Sequence, residues 1–393
     1  MDTTDPDIVF DSNGICNHCR IYDHAVQNRL FSGKQAELKL RSLVSEIRQA
    51  GKNRPYDCVV GVSGGVDSTF TAYHVRKLGL RALAVHLDNG WNSTMAVENI
   101  QKVLKNLDMD LYTIVLDWEE FRNLQLSFLK ASVPDFEIPT DHAIHGALYH
   151  AAASRNIPTI INGYNLRTEA VHPRSWSHGI LDWKYIRSIH ERFGSIPLST
   201  FPGLSLWKFI RYKWVQRIRT VHLLNYIPFR RTEAIRVLEQ ELGWQDYPVK
   251  HSESIITRFM QDYILPRKFG FQVERSHLSA LICAGEMGRE EAMAAIHQKT
   301  EPDEPDTETL EFVVKKLGLS LEEFETLMSL PQKNFNDYPS YERNPVTRIL
   351  LRLLTKRISI KDVRAYWDRR RTRMKSDRKQ PVPLDDRSRG SVS

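Results

Sequence analysis

Residues 63–68 read Ser-Gly-Gly-Val-Asp-Ser, directly after the apolar run 57–62 and directly before a stretch of helical periodicity. Glycines at 64 and 65 permit backbone angles closed to other residues and let a ligand approach the main chain. The helix that follows offers unpaired N–H groups and the positive end of its dipole. With the hydroxyls of Ser63 and Ser68 these groups make a cradle for an anion, one that Gly64, Gly65 and Val66 line with backbone. No lysine lies within the loop, unlike the GxxxxGK(S/T) loop of enzymes that cleave the outer phosphate, so the cradle suits a departing pyrophosphate. Asp67 cannot attract an anion by its own charge, and a bridging Mg²⁺ accounts for it.

Other residue groups could act with this loop. Asp88, Asn89 and Gly90 form either an Asx turn or a face of a nucleotide site. In 161–170, Ile-Asn-Gly-Tyr-Asn-Leu-Arg-Thr-Glu-Ala, Gly163 joins the nucleotide set, Glu169 is a second carboxylate for Mg²⁺ and Asn165 a donor to nucleotide or substrate. Pro139-Thr-Asp-His-Ala-Ile-His offers Asp141, His142 and His145, with Thr140 as an ordinary helix cap; His142 is assigned substrate contact or proton shuttling. Lys250, His251 and Glu253 follow in Lys-His-Ser-Glu-Ser. Lys250 is placed to stabilise developing negative charge, and Arg258, Arg267 and Lys268 stand nearby on one helical stretch, either as anion contacts or as a solvated face. Cys16-Asn-His-Cys19 is half of a zinc site. Either the chain starts late, or the site recruits His18, His24 or Cys283, or there is no zinc; Cys58 reads as core packing.

The elements that would hold these residues alternate. Strands are expected at 57–62, 80–88, 111–116 and 157–163, with helices at 35–50, 68–78, 94–106, from Trp118, and 141–155. That alternation predicts a doubly wound parallel α/β sheet of four or five strands. Ligands bind such sheets at the carboxyl ends of the strands, which gathers 63–68, 88–91 and 162–169 along one edge. Beyond about 175 the pattern becomes helical. The stretch 206–227 mixes aromatics with Lys and Arg at helical spacing and reads as a packed helix whose cations snorkel, so membrane contact is not expected. The predicted organisation is an N-terminal segment 1–50, a nucleotide domain 51–175, a helical substrate or partner region 176–330 and a basic tail 331–393.

Composition narrows the class. The net charge of +7 belongs to the end of the chain, where residues 343–393 carry 16 Lys/Arg against 5 Asp/Glu. The remainder is slightly acidic, so nucleic-acid binding is not expected. Four cysteines in 393 residues, with no apolar leader and no long apolar run, predict a cytoplasmic protein.

Ser-Gly-Gly-Val-Asp-Ser is the signature of the PP-loop, or N-type, ATP pyrophosphatases. The wider chain, over roughly 8–330, resembles one branch, the N-acetyl sugar amidotransferases of surface-polysaccharide pathways. The resembling stretches are 10–19, 87–93, 139–152, 250–270 and 275–293. One departure stands out: the branch more often has Gly-Gly-Asn where this chain has Asn162-Gly163-Tyr164-Asn165. The resemblance implies cleavage of Mg·ATP to AMP and pyrophosphate, with adenylylation of an acetamido oxygen on a nucleotide-linked sugar. Ammonia from a separate glutaminase subunit, with a cyclase-like companion, would then give an acetamidino group for O-antigen or lipopolysaccharide synthesis. The diphosphate of such a sugar gives Arg258, Arg267 and Lys268 an anion to meet. The alternatives are a sulfurtransferase of the same superfamily, with Cys283 as carrier, and a catalytically silent nucleotide-binding scaffold.

Overall fold

The structure, a computed structural model, describes residues 1–247, 253–298 and 307–355. Lys250 and His251 lie outside the described residues. The strands are β1 (Cys58–Gly61), β2 (Ala82–Asp88), β3 (Asp110–Val115), β4 (Thr159–Asn162) and β5 (Arg219–His222). All pair in parallel, in the order β3-β2-β1-β4-β5. The first four fall where alternation predicts them. The fifth comes from 206–227, the stretch whose periodicity predicts one helix throughout. There the helix runs only from Leu206 to Val215, its second half π-helical, before the chain turns into Arg219-Thr220-Val221-His222. Pairing with β4 overrides the local pattern, a long-range effect that a window of sequence cannot register.

The helices are α1 (Asn17–Arg29), α2 (Gly33–Gly51), α3 (Val66–Lys77), α4 (Thr94–Asn106), α5 (Trp118–Ala131), α6 (Ile138–Ser154), α7 (Leu166–Glu169), α8 (Trp183–Phe193), α9 (Leu206–Ile210) and α10 (Arg231–Leu242). They continue with α11 (Ile255–Phe259, extended as π-helix to Phe269), α12 (Val273–Ala284), α13 (Arg289–Gln298), α14 (Thr307–Lys316), α15 (Leu321–Ser329) and α16 (Pro345–Leu354). Residues Met1–Ser340 form one compact unit. A second begins at Tyr341 and holds α16, whose first turn is capped by Asn344 accepting from Val346 and Thr347 N–H.

The sheet divides its side chains by alternation. Cys58, Val60, Ala82, Ala84, Ile161 and Val221 pack under α2, α3, α4 and α10. The opposite face meets α6, whose Leu148 lies where a Cβ on Gly61 would point, 3.3 Å away. A second core joins Phe121, Leu124 and Phe128 of α5 to residues of α8, α11 and α14. Each such fully buried side chain contributes roughly 1.5–3 kcal/mol. Among the described residues no helix is long and apolar enough to cross a membrane.

One buried carboxylate organises the cover of this second core. Glu120 of α5 accepts from the N–H groups of Ser199 (2.9 Å), Thr200 (3.0 Å) and Phe201 (3.1 Å). The segment then passes so near α6 that a Cβ on Gly146 would come 1.9 Å from the Pro202 carbonyl oxygen. Glu120→Ala leaves three main-chain donors without their acceptor, and a buried unsatisfied donor costs about 1–3 kcal/mol. Urea denaturation of Glu120→Ala is expected to show a loss of about 3 kcal/mol; a loss below about 1 kcal/mol would mean that water replaces the carboxylate.

Candidate active site

β1 and β4 are neighbours, with β2 and β3 laid down on one side and β5 on the other. The chain reverses its direction of progress between them, and such a reversal opens a crevice at the carboxyl ends of the strands. A cavity of about 210 Å³ lies there. Ser63, Gly65, Val66, Asp67 and Ser68 form one wall, and Gly163 and Glu169, from beyond β4, form another. The two walls touch: a Cβ on Gly163 would lie 2.7 Å from Ser68 N and 2.9 Å from the Asp67 carbonyl carbon. Only glycine allows this approach.

The loop is shaped as an anion cradle. Helix α3 starts after Gly65 without a side-chain cap, so its dipole end stays open to the cavity. The hydroxyls of Ser63 and Ser68 are 3.1 Å apart, and Ser68 Oγ also accepts from Ser63 N–H at 3.1 Å. Gly64 holds the left-handed conformation at φ +86°, and a Cβ there would meet the Ala96 carbonyl oxygen at 2.9 Å. Its own carbonyl accepts from Trp244 Nε1–H (2.8 Å) and from the Tyr247 hydroxyl (3.1 Å).

The segment that supplies these donors is tied to α4. Asn99, fully buried, donates to Gln245 O and accepts from Gln245 N–H, both at 2.9 Å. When the chain is next described, Ser93 N–H donates to Glu253 O and Ile255 N–H to Trp91 O, both at 3.0 Å. The segment thereby brings Tyr247 and Glu253 to the cavity, and Arg231, at the start of α10, completes the lining. Arg231 and Tyr247 carry no loop motif. Their roles come from long-range bonds, although Trp244-Gln-Asp-Tyr247 stands just ahead of the Lys-His-Ser-Glu-Ser stretch.

Asp67 and Glu169 face one cavity, and two carboxylates are the oxygen-donor set that Mg²⁺ takes. A third acid stands close: burial pushes the Glu286 pKa up, against Arg167 and Arg230, and the Asp67 charge adds to the rise. The residues present therefore fit a hard cation.

Several expected site residues stand elsewhere. Asp88 Oδ1 accepts from Gly90 N–H (2.9 Å) and Asn92 Nδ2 (3.2 Å), while Asn89 Oδ1 accepts from Trp91 N–H (3.1 Å). This is the Asx-turn alternative, and neither side chain lines the cavity. Asn165 is fully buried and caps α7, accepting from Thr168 N–H and donating to Thr168 Oγ1, so it positions the helix bearing Glu169 rather than meeting a ligand.

His142 is a structural residue, not a shuttle. Its Nδ1–H donates to Ile180 O (2.6 Å) and its Nε2 accepts from Leu204 N–H (2.9 Å), and its ring lies near-parallel to those of Trp183 and Phe201. Burial lowers its pKa to about 4, and no nitrogen is left to move a proton. Asp141, by contrast, is accessible yet walled by protein. Desolvation, then the charges of Asp135 and Glu137, push its pKa up to about 8.

The basic cluster also disperses. Arg258 pairs with Asp262 at 3.4 Å on the surface, and Arg267 lies 4.1 Å above the Tyr263 ring. Lys268 donates to the carbonyls of Leu327 and Met328 at the end of α15, and burial lowers its pKa to about 8. These contacts pack the helices.

Zinc is not supported. Cys16 and Cys19 lie 3.5 Å apart with Cys283 near Cys19, all as free thiols, but among the described residues no group of three or more ligating side chains could hold a metal ion. His18 is taken by Asp5 at 2.6 Å. Burial pushes the Cys283 thiol up to about 12, far from the thiolate a sulfur carrier needs. Nor does Cys283 line the cavity.

Comparison with known families agrees with this geometry. Residues 39–127 match NAD synthase, and residues 253–353 match the LPS biosynthesis protein WbpG-like, C-terminal domain. The loop at 63–68 lies within the NAD-synthase-like segment. The pairing of its NAD-synthase-like part with a WbpG-like one fits a PP-loop amidotransferase. Similar solved structures include the NMN synthetase from Francisella tularensis, with 15% identity, a TM-score of 0.31 and coverage of 77% of this chain and 98% of that one. Another is the NH3-dependent NAD synthetase from Campylobacter jejuni subsp. jejuni NCTC 11168, with 13% identity, a TM-score of 0.31 and coverage of 76% and 98%. No curated protein sequence matches the chain.

The PP-loop depends on the missing Cβ of Gly163. Gly163→Ala must push β4 from the first turn of α3, and a displacement near 1 Å at a reacting centre costs about 100-fold. Pyrophosphate release is expected to fall by about that factor, and the thermal unfolding midpoint is expected to fall as well, because the clash is with main chain. Unaltered turnover would show that the two walls move independently.

Proposed function

We propose that the chain is an ATP-dependent amidotransferase of lipopolysaccharide biosynthesis that converts an N-acetyl group on a nucleotide-linked sugar to an acetamidino group. One observation carries the reading: a lysine-free anion cradle and two carboxylates share a cavity that the start of the WbpG-like region, at Glu253, helps to close. A cradle of main-chain N–H groups and hydroxyls holds the β,γ-diphosphate as it leaves. Arg231, paired with Asp246 at 3.6 Å, adds a cation to the same wall. Asp67 and Glu169 would hold Mg²⁺, whose charge offsets that of the departing pyrophosphate. Lys250 keeps its proposed part in meeting the same developing charge.

In the first half-reaction the acetamido oxygen attacks the α-phosphorus, the P–O bond to the β-phosphate breaks, and pyrophosphate departs. An amide oxygen is a poor leaving group, but as AMP it leaves well. In the second, ammonia adds to the activated carbon, a proton is lost from nitrogen, and the C–O bond to AMP breaks. Release of ammonia from glutamine needs a cysteine nucleophile with a histidine base. Cys16, Cys19 and Cys283 gather at α1 and α12, Cys58 is buried in β1, and none hydrogen-bonds a histidine among the described residues. A separate glutaminase subunit is therefore the proposed partner.

Incubation of the purified chain with ATP, ammonium and UDP-linked N-acetylated hexosamines and their uronic acids should yield AMP, pyrophosphate and a sugar lighter by the difference between O and NH. Glutamine should not replace ammonium without a partner. Asp67→Asn should lower pyrophosphate release by at least about 100-fold in a folded protein. Formation of ADP and orthophosphate would refute the reading, and robust glutamine use by the isolated chain would refute its partner.

A further inference from the structure

Beyond Gly163, on the side away from α3, three elements bring a second set of side chains together. Asn162 and His222 end β4 and β5 and are paired across the ladder. His222 Nδ1 lies 2.7 Å from Asn162 Oδ1. A carbonyl oxygen only accepts, so Nδ1 carries the hydrogen and Nε2 keeps its lone pair. Among the described residues Nε2 has no hydrogen-bond partner. Tyr164 holds the imidazole from the edge, with ring centroids 4.8 Å apart at 61°. His145, one turn along α6 from Asp141, stands within electrostatic reach of His222, as does Lys213 from the π-helical turn after α9.

The surroundings keep both imidazoles neutral. Burial lowers the His222 pKa to about 4, helped by His145, by Arg29 at the end of α1 and by Lys213. Burial and Lys213 lower His145 to about 4 as well. A neutral imidazole with a fixed tautomer and an open lone pair can accept a proton. The same cations disfavour ammonium and favour ammonia, the form that attacks carbon. Asn162 and Tyr164 flank Gly163 in the chain, and Gly163 lines the cavity although His222 does not; a substrate with its phosphates against Ser63–Ser68 would have to reach past Gly163 to bring the activated carbon to His222.

We propose that His222, held in its Nδ1–H tautomer by Asn162, is the proton acceptor of the ammonia step. The inference rests on the amidotransferase reading above. Ammonia forms a C–N bond to the adenylylated carbon and gives an adduct bearing –NH3⁺. His222 Nε2 takes one proton from that nitrogen. The C–O bond then breaks with its electron pair leaving on AMP, and the sugar departs as an amidinium. Tyr164 and Asn162 are positioning residues, because they act through the imidazole.

The test separates the two half-reactions, using ATP, the UDP-linked N-acetylated hexosamines and uronic acids above, and ammonium. His222→Gln should lower ammonium-dependent amidine formation by about 100-fold, whereas single-turnover pyrophosphate release without ammonium should fall by less than about fivefold. Asn162→Asp keeps the acceptor for Nδ1–H and adds a negative charge beside the ring, so the acid limb of the ammonium-dependent rate should move to higher pH. Equal losses in both half-reactions, or an unmoved limb, overturn the proposal. A check that needs no substrate is the ¹⁵N spectrum of the histidine rings, with His222 assigned by its loss in His222→Gln. The proposal requires the Nδ1–H tautomer, and an Nε2–H tautomer overturns it even if the variants fold poorly. A wild-type chain that releases no pyrophosphate with any of these sugars sinks the amidotransferase reading, and the role of His222 with it.

Discussion

The approach of Gly163 to the first turn of α3 is the constraint on which the site depends. With a Cβ at 2.7 Å from Ser68 N excluded, the end of β4 can sit against the loop that follows β1. That contact brings Glu169, at the end of α7, to the same cavity as Asp67. Asn162, paired with His222 across the ladder, directly precedes Gly163 in the chain. A parallel sheet aligns strand ends along an edge, but alignment alone leaves a gap between neighbouring loops. The missing side chain closes it.

A second restraint acts on the loop itself. The Gly64 carbonyl takes two donors from a segment that follows α10, and that segment is bonded to α4 through a buried asparagine. The left-handed turn is thus held from outside as well as by its own glycine. A cradle fixed before its ligand arrives loses less freedom on binding, which is the physical benefit of preorganisation.

Three histidines of one region show how partners decide role. His142 has both ring nitrogens engaged by main chain and packs against the near-parallel rings of Trp183 and Phe201. His222 has one nitrogen engaged, by a side chain that sets its tautomer. His145 contributes through its proximity to His222. Their types and helical spacing are no guide to these differences. His142 is the one that sequence reasoning singles out, and it is the one the fold consumes as packing; Thr140, expected as the cap, lies inside α6 and donates to Glu137. The same holds for Lys268, whose ammonium serves the carbonyls that end α15, and for Asn165, which caps a short helix.

The doubly wound sheet, the cradle at 63–68 and the arrival of Gly163 and Glu169 beside it were legible in the chain, because each follows from local rules. Alternation marks buried strands, paired glycines mark a turn that backbone must line, and strand polarity puts all the following loops on one edge. β5 was not legible: its four residues become a strand only by pairing with β4. Nor were Arg231 and Tyr247, which line the cavity from far along the chain, or the His222–Asn162 bond, which joins residues 60 apart in sequence. Local sequence determines which segments can be strands, helices and tight turns, since torsional preference and hydrophobic period act over a few residues. Which polar atom finds which partner is decided when distant segments pack, since a hydrogen bond depends on separation in space and not on separation along the chain.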